Sequence, residues 1–238
     1  MAAATTTTGR PAARERLTRD RVLRAALDFV DAHGLAALSM PKLGAELGVK
    51  GMSLYSHVDS KDALLDGIVE IMSAETPMPP AGEADWRDAL RGLATSLREV
   101  IRRHPAAAPL LVSRPVMPAR RLEVIDAYLG VLLRAGFPAE RALDVLRTVY
   151  VYAQGYALAE VSYTDLPHGQ EPQRPDDELA RIRRVTQMVP RDVPDRLLRL
   201  AMDFCGRCDM DDQFSLGVDL MIGGLEAECP HQPQPPPG

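Results

Sequence analysis

The chain of 238 residues contains only three cysteines, Cys205, Cys208 and Cys229. Three thiols cannot all pair within one chain and are too few for a disulfide framework, so we expect them to be reduced. Cys205 and Cys208 form a CxxC pair that Cys229 and His231 could complete as zinc ligands. Because the sequence has no second CxxC and no βαβ pattern, we expect no metal site and no cofactor.

The chain also lacks an excess of positive charge. It carries 28 Lys and Arg against 33 Asp and Glu, which gives a net charge of −5 and a pI near 5.6. Such a chain cannot coat nucleic acid over its whole surface, so any contact with DNA must come from a local patch. No apolar run is long enough to span a bilayer, and the first 16 residues lack the apolar core of a secretion signal. We therefore expect a cytoplasmic protein that does not enter a membrane.

Apolar residues recur every three or four positions along most of the chain, with little sustained alternation, which predicts an all-α fold. In the first third, Thr18, Ser39 and either Ser60 or Asp59 are good helix N-caps, and Gly34 and Gly48 are good helix stops. These signals predict four helices, at about 18–34, 39–48, 50–57 and 60–72.

A stretch rich in Pro, Gly and acidic residues, AETPMPPAGEAD, interrupts the helical pattern and predicts a linker. We expect five parts: a disordered basic arm 1–16, a three-helix DNA-binding domain 17–73, a linker 74–85, a larger helical bundle 86–228 for ligand binding and dimerisation, and a disordered Pro-rich tail 229–238. Within the bundle the pattern predicts helices at about 86–104, 106–113, 119–135, 139–163, 177–188, 194–205 and 212–228. The segment DLPHGQEPQRPD is predicted to be a long mobile loop.

The second and third predicted helices are joined by a turn of about four residues that contains Gly48, which is the helix-turn-helix arrangement. Leu54 and Val58 are four residues apart and point toward the core. The residues between and before them are left facing outward, where an aromatic ring, an imidazole and hydroxyls have no stabilising role but can reach phosphates and base edges in a major groove. These outward residues are Met52, Ser53, Tyr55, Ser56 and His57.

Positive charge is concentrated near this face. Lys61 opens the fourth helix, where its ammonium group and the free backbone N–H groups could together hold a phosphate. The N-terminal arm is net positive although the chain is acidic, which supplies the local patch; a solvated arm and an arm that enters a minor groove are equally open readings. Its arginines, Arg10, Arg14, Arg16, Arg19, Arg21 and Arg24, outnumber Glu15 and Asp20.

The run GVKGMSLYSHVDSKDALLDGI resembles the helix-turn-helix signature of the TetR family, in which Leu-Tyr-x-His-Val is followed by a Lys that opens helix four. The resemblance implies DNA contacts by Ser53, Tyr55, His57 and Lys61, with Tyr55 and Lys61 mainly on phosphates and Ser39 capping helix two near the backbone. The full set expected to contact a palindromic double-stranded operator is Ser39, Lys42, Lys50, Gly51, Met52, Ser53, Tyr55, His57 and Lys61.

Two departures from the family pattern limit what the resemblance implies. Pro41 stands where the tetracycline repressors have a base-reading Arg, and Gly51 stands where they have a polar residue, so the operator sequence is not transferable. Leu110 replaces the His that ligates the metal carried by tetracycline. The effector is therefore not expected to be a magnesium-chelated drug.

Later segments, SRPVMPARRLEVIDAYLGVLLRAGFPAERALDVLRTVYVYAQGYAL and QFSLGVDLMIGGLEA, resemble the ligand-binding and dimerisation regions of the tetracycline-repressor-like subgroup. They imply a mostly apolar effector cavity with a few polar groups, for which Arg114 is the favoured polar contact. The expected cavity lining is Leu110, Arg114, Pro115, Ile125, Tyr128, Leu129, Leu143, Leu146, Arg147 and Tyr150.

A repressor needs two reading helices at a fixed spacing, so a homodimer is mechanically required. Two apolar stripes could pair with their copies as a four-helix bundle, with Gly217, Gly223 and Gly224 permitting close approach. The stripe residues expected at the dimer interface are Val151, Gly155, Leu158, Phe214, Val218, Met221 and Leu225.

Three classes of function remain open at this point. The strongest is a DNA-binding regulator, most simply a repressor, that a small apolar or amphipathic effector releases from its operator. An enzyme is second, but the sequence has no phosphate-cradling glycine loop and no nucleophile-base arrangement that stands out. The third is a helical ligand-binding or interaction protein that has lost operator binding, a reading that Pro41 and Gly51 favour. His104 and His168 are given no role.

Overall fold

A computed structural model of the chain describes residues 16–80, 85–164, 192–206 and 210–228, together with the single residues 82 and 190. Every regular element within these ranges is helical, which confirms the all-α prediction. The predicted arm up to residue 15, the predicted helix 177–188, the predicted loop 165–176 and the predicted tail 229–238 lie outside the described residues.

Three α-helices and a 3₁₀ helix form the N-terminal part, and the predicted caps are confirmed. The side-chain oxygen of Thr18 accepts a hydrogen bond from the backbone N–H of Arg21, and that of Ser60 from the N–H of Ala63. The Ser39 hydroxyl does the same for Lys42. The elements are α1 Arg19–His33, α2 Met40–Glu46, the 3₁₀ helix Gly51–Ser56 and α3 Lys61–Ala74, with a short 3₁₀ turn Leu35–Ala37 after α1.

The third predicted helix is a 3₁₀ helix rather than an α-helix. Its backbone N–H groups bond to carbonyls three residues back, Ser53 to Lys50 at 2.8 Å and His57 to Leu54 at 2.9 Å. Leu54 is fully buried and Val58 nearly so. Burial of Leu54 fixes which side of this short helix faces the core.

Two glycines allow the helix-turn-helix to close. A Cβ on Gly44 of α2 would lie 2.7 Å from the backbone nitrogen of Gly51, and a Cβ on Gly51 would lie 3.0 Å from the carbonyl oxygen of Met40. Backbone atoms cannot move aside as a flexible side chain can. The close approach of α2 to the Gly51–Ser56 helix therefore requires glycine at Gly44 and disfavours a larger residue at Gly51.

Among the described residues, six further helices belong to the C-terminal part: α4 Trp86–Arg103, α5 Leu110–Ser113, α6 Ala119–Arg134, α7 Ala139–Thr164, α8 Asp195–Gly206 and α9 Met210–Glu228. Side chains of α4, α6, α7 and α9 share one hydrophobic core. The predicted bounds agree to within two residues except for 106–113, where the helix begins only at Leu110. Pro109 precedes it and has no N–H to donate, so it occupies the N-cap position.

The two halves of the chain share a second core. Val100 at the end of α4, Ala107, and Leu110 of α5 are buried together with the apolar residues of α1, α2 and α3. The position of the small N-terminal bundle is therefore set by contacts with α4 and α5.

Replacing Gly44 by Ala is expected to lower the free energy of unfolding by about 1–3 kcal/mol, because the added methyl group overlaps the backbone of Gly51. Gly92 is the matched control, since it lies exposed within α4 and an added Cβ meets nothing within 4 Å. Gly92→Ala is expected to stabilise by about 0.5–1 kcal/mol through helix propensity. Urea unfolding measures both, and equal effects of the two substitutions would contradict the close approach.

Candidate nucleic-acid interface and effector cavity

The outward face of the Gly51–Ser56 helix has the composition that the sequence predicts. Met52 is 77% exposed and Tyr55 44% exposed, while Ser53 is exposed and His57 half-buried. These side chains surround the buried Leu54 on the solvent side. The face presents a thioether, a phenol, a hydroxyl and an imidazole at the surface of a short, capped element.

Three lysines border this face, and each is exposed: Lys42 on α2, Lys50 just before the 3₁₀ helix and Lys61 at the first position of α3. None of them forms an ion pair within the described residues. Lys61 lies at the N-terminus of a 14-residue helix, where the helix dipole and free N–H groups favour an anion. The Ser39 hydroxyl is engaged as the cap of α2, and Gly51 offers only its backbone.

Two of the arginines counted with the arm are paired in the structure. Arg19 pairs with Glu70 at 2.8 Å, and Arg24 pairs with Asp20 at 2.8 Å. Arg10 and Arg14 lie outside the described residues. Within the described part of the chain, the positive charge of the candidate interface rests on the three lysines and on Arg16, which is exposed.

Arg114, expected to line the cavity, instead links the C-terminal part to α3. Its guanidinium donates to the carboxylate of Asp66 and, at 3.2 Å, to both the carboxylate and the backbone carbonyl of Asp62. The hydrogen bond to Asp66 raises the pKa of Arg114 above its usual value. Asp62 directly follows Lys61, so this contact ties the loop after α5 to the start of α3.

His104 forms a second link that sequence analysis missed. Its Nδ1 lies 2.6 Å from a carboxylate oxygen of Asp31 on α1, and its Nε2 lies 3.0 Å from a carboxylate oxygen of Glu75 at the end of α3. Arg103 also pairs with Glu75. A histidine directly after α4 and before Pro105 gives no sequence signal for partners about 30 and 70 residues away.

A small cavity of about 20 Å³ lies where α3 meets the bundle. Its only charged lining side chain is Arg121, whose guanidinium carbon lies 5.4 Å from the centre of the Tyr150 ring. Burial raises the pKa of Tyr150, and raises that of nearby Tyr128 to about 12, so both phenols are neutral at physiological pH. The lining residues are Met72, Ser73, Thr76, Leu97, Val100, Leu111, Arg121, Val124, Tyr150 and Gln154.

Of the ten residues expected to line an effector cavity, Tyr150 is the one that also lines this small cavity. Tyr128 and Leu146 are buried in the bundle core, Ile125 and Leu129 pack against it, and Leu110 belongs to the core shared with α1 to α3. Pro115 is exposed.

Leu143 and Arg147 correct the expectation most clearly, because α7 turns them outward while it buries Ala142, Val145 and Leu146. The residue whose position in the sequence could have pointed to this cavity is Arg121. Arg121, Val124 and Tyr128 recur at helical spacing on α6. An arginine in line with buried residues is expected to pair with another charged or polar group.

Part of the expected dimer stripe is also corrected. Phe214, Val218 and Leu225 are buried in the core of their own chain and cannot pair with a copy. Gly217 is likewise covered, because a Cβ there would lie 2.0 Å from the hydroxyl of Tyr152. The helix presents its other side to solvent.

The solvent side of α7 and α9 carries an unpaired apolar surface, which we call the α7/α9 face. Val151 and Leu220 are 66% and 68% exposed, Leu216 is 56% exposed, and Gly155 is exposed. A groove of about 320 Å³ runs beside them, lined by Val145, Val149, Met221, Gly224 and others. Contiguous exposed apolar residues of this kind mark an interaction surface.

A buried ion cluster holds the bundle together behind this face. Arg98 of α4 donates two hydrogen bonds of 2.7 Å to Glu160 of α7 and pairs with Asp211 of α9 at 2.7 Å. Its guanidinium also lies 4.7 Å from the ring centre of Phe214. Three helices are thus tied together, and Arg102 supports the same carboxylates at 3.9 Å from Glu160 and 3.3 Å from Asp211.

In the described ranges, no three His, Cys, Asp or Glu side chains lie close enough to bind a metal ion. The side chains of Cys205, Cys208 and Cys229 fall outside those ranges. None of the helices described has the length and hydropathy needed to cross a membrane.

If the α7/α9 face joins two copies of the chain, replacing Leu220 by Glu is expected to weaken dimerisation by about tenfold or more, because two carboxylates would lose hydration at the interface. Leu133→Glu is the control, since Leu133 is also exposed but lies at the end of α6. Sedimentation equilibrium over a concentration series measures the dissociation constant. A dimer weakened equally by both substitutions, or by neither, would exclude this face.

Comparison with known proteins finds the same two-part organisation. The family "Bacterial regulatory proteins, tetR family" matches residues 22–68, and "Tetracyclin repressor-like, C-terminal domain" matches residues 78–229. The tetracycline repressor protein class A from transposon 1721 of Escherichia coli is 32% identical over 213 residues, which cover 88% of this chain and 91% of that protein.

Two solved structures are similar over most of the chain. The Streptomyces coelicolor TetR family protein ActR in complex with actinorhodin has a TM-score of 0.71 at 27% identity, covering 91% of this chain and all of that one. TetR from Acinetobacter baumannii AYE has a TM-score of 0.65 at 27% identity, covering 89% of this chain and 98% of that one.

Proposed function

The chain belongs to the TetR family of DNA-binding transcriptional regulators, and on that premise we propose that it represses transcription as a homodimer on a palindromic operator. A small molecule that enters the C-terminal bundle releases the operator. The observation that carries this proposal is the outward face of the Gly51–Ser56 helix, with Lys61 at the free N-terminus of the next helix.

At the operator, each protomer lays its Gly51–Ser56 helix in a major groove. Tyr55 and Lys61 contact phosphates, and Lys42 and Lys50 add positive charge on either side. Ser53, Met52 and His57 are then the side chains near base edges. Gly51 packs against α2 and has no side chain, and the side chain of Pro41 cannot donate a hydrogen bond to a base. Fewer side chains are therefore left to recognise bases than in the tetracycline repressors.

Release operates through α3. The helix carries Lys61 at one end, and Met72 and Ser73 at the other end line the cavity. At 1.5 Å per residue these ends are roughly 18 Å apart, so a rigid helix transmits displacement from the cavity to the DNA surface. A ligand that prefers a conformer with the two reading helices too far apart lowers the affinity for DNA.

The effector we propose is a small apolar or amphipathic molecule that does not depend on a bound metal. Leu110 is buried against the small bundle and offers no ligand atom where the tetracycline repressors have histidine. We propose no catalytic role for the chain. A helical binding protein that has lost operator binding is the alternative that the next experiment tests.

Lys61→Gln is expected to weaken binding to operator DNA and to unrelated duplexes alike. It is also expected to reduce the slope of log affinity against log salt by about two, one lost phosphate contact per protomer. Arg120→Gln is the control, since Arg120 lies on α6 and pairs with Glu123. Mobility-shift titrations at several salt concentrations against the chain's own upstream DNA supply the slopes. A wild-type chain without measurable affinity at low salt would contradict the proposal.

Ser53→Ala tests base reading separately from phosphate contact. It is expected to change the ranking among operator variants by about 1–3 kcal/mol at one base pair per half-site while leaving the salt slope unchanged. Binding selection from a randomised duplex library measures the ranking. An unaltered ranking would place base recognition on other residues.

A further inference from the structure

Among the residues that the structure describes, Arg121 is an arginine at a cavity wall without an acidic partner. Its Nε is buried without a hydrogen-bond partner, and no carboxylate pairs with the guanidinium within the described residues. Its neighbour Arg120 pairs with Glu123 one turn away. A buried N–H donor is normally satisfied, so a missing partner at the wall of a cavity points to a ligand that supplies it.

The surroundings of Arg121 select for a negative group on a flat, apolar molecule. None of the ten lining residues is acidic, and Leu97, Val100 and Val124 supply apolar walls. The Tyr150 ring lies under the guanidinium, which favours stacking of a planar body beside the charge. The polar groups of Ser73, Thr76 and Gln154 remain for further hydrogen bonds.

We propose that the effector is an aromatic organic acid whose carboxylate or ionised phenolic oxygen pairs with Arg121 while its ring system lies against Tyr150 and the apolar walls. This rests on the proposed function above, in which a small molecule enters the cavity. A guanidinium presents parallel N–H donors that match a carboxylate, and the pair is strengthened where water is excluded.

Because the cavity is small, binding of the acid is linked to a movement of α3. A volume of about 20 Å³ holds roughly one water molecule, whereas small-molecule sites span about 300–1,000 Å³. An aromatic acid can therefore enter only if the wall opens. Met72, Ser73 and Thr76 at the end of α3 form one side of that wall, and Arg121 on α6 forms another. An acid anchored on α6 would displace the end of α3.

The probes are three acids of increasing ring number, benzoate, 2-naphthoate and anthracene-2-carboxylate, and the neutral carboxamide of each. Isothermal titration calorimetry with the full chain measures the affinities. At least one acid is expected to bind wild type tenfold or more tightly than its amide. Arg121→Met is expected to abolish this preference by weakening the acid alone, whereas Arg120→Met, the matched control, is expected to keep it.

Arg121→Lys retains the charge without the paired donors, and is expected to bind the acid more weakly than wild type but still better than the amide. It serves as the test if Arg121→Met does not fold. The inference is overturned if wild type binds none of the acids, if acid and amide bind equally, or if Arg121→Met keeps the preference.

Operator binding without any probe separates this inference from the proposed function. Arg120→Met, which does not alter the cavity lining, should bind the operator as wild type does. A wild-type chain that prefers the acid yet has no affinity for DNA would contradict the proposed function and leave the acid site standing. If acid and amide bound equally and either one released the operator, the acid site would be contradicted and the proposed function would stand.

Discussion

The arrangement depends on one shared helix, α3. Its first residue, Lys61, lies at the surface that would meet DNA, and its last turn closes the small cavity against α4, α6 and α7. Between these ends Leu64, Ile68 and Met72 are fully buried in the core that the two halves share. A helix held along its length resists bending when it is pushed at one end, and the release of DNA that we propose relies on this stiffness.

The local structure could be predicted because its causes are local. Thr18, Ser39 and Ser60 bond to N–H groups three residues away, and the stripe of Leu54 and Val58 sets which side of the reading helix is outward. The cavity could not be predicted in the same way. Its walls come from segments up to about 80 residues apart. Leu143 and Tyr150 are seven residues apart and so lie on nearly the same face of α7, yet Leu143 is 43% exposed and Tyr150 is buried, so helical periodicity alone cannot tell them apart.

The difference between local and distant causes also explains why the contacts of Arg114, His104 and Phe214 are not evident from the sequence. From its own segment, Arg114 is predicted to contact a ligand, His104 is given no role, and Phe214 is predicted to lie at the dimer interface. In the folded chain each is committed to a distant partner: Arg114 to Asp66, His104 to Asp31 and Phe214 to the guanidinium of Arg98. The fold follows from short local motifs, so the resemblance to a family predicts it. Side chains that link helices have partners far away in the sequence, and only the folded structure locates them.

The ion pairs around Arg98 make some helix contacts in the C-terminal part harder to separate than others. Separating α4 from α7 would expose the buried pair of Arg98 and Glu160 to solvent, and moving α9 away would break the contacts of Arg98 and Arg102 with Asp211. The boundary between α3 and the bundle is held at Glu75, which contacts Arg103 and His104, while Ser73 and Thr76 on either side of it meet a largely apolar wall. A molecule that wedged α3 away from this wall would therefore have to break the contacts of one carboxylate, not the whole cluster around Arg98.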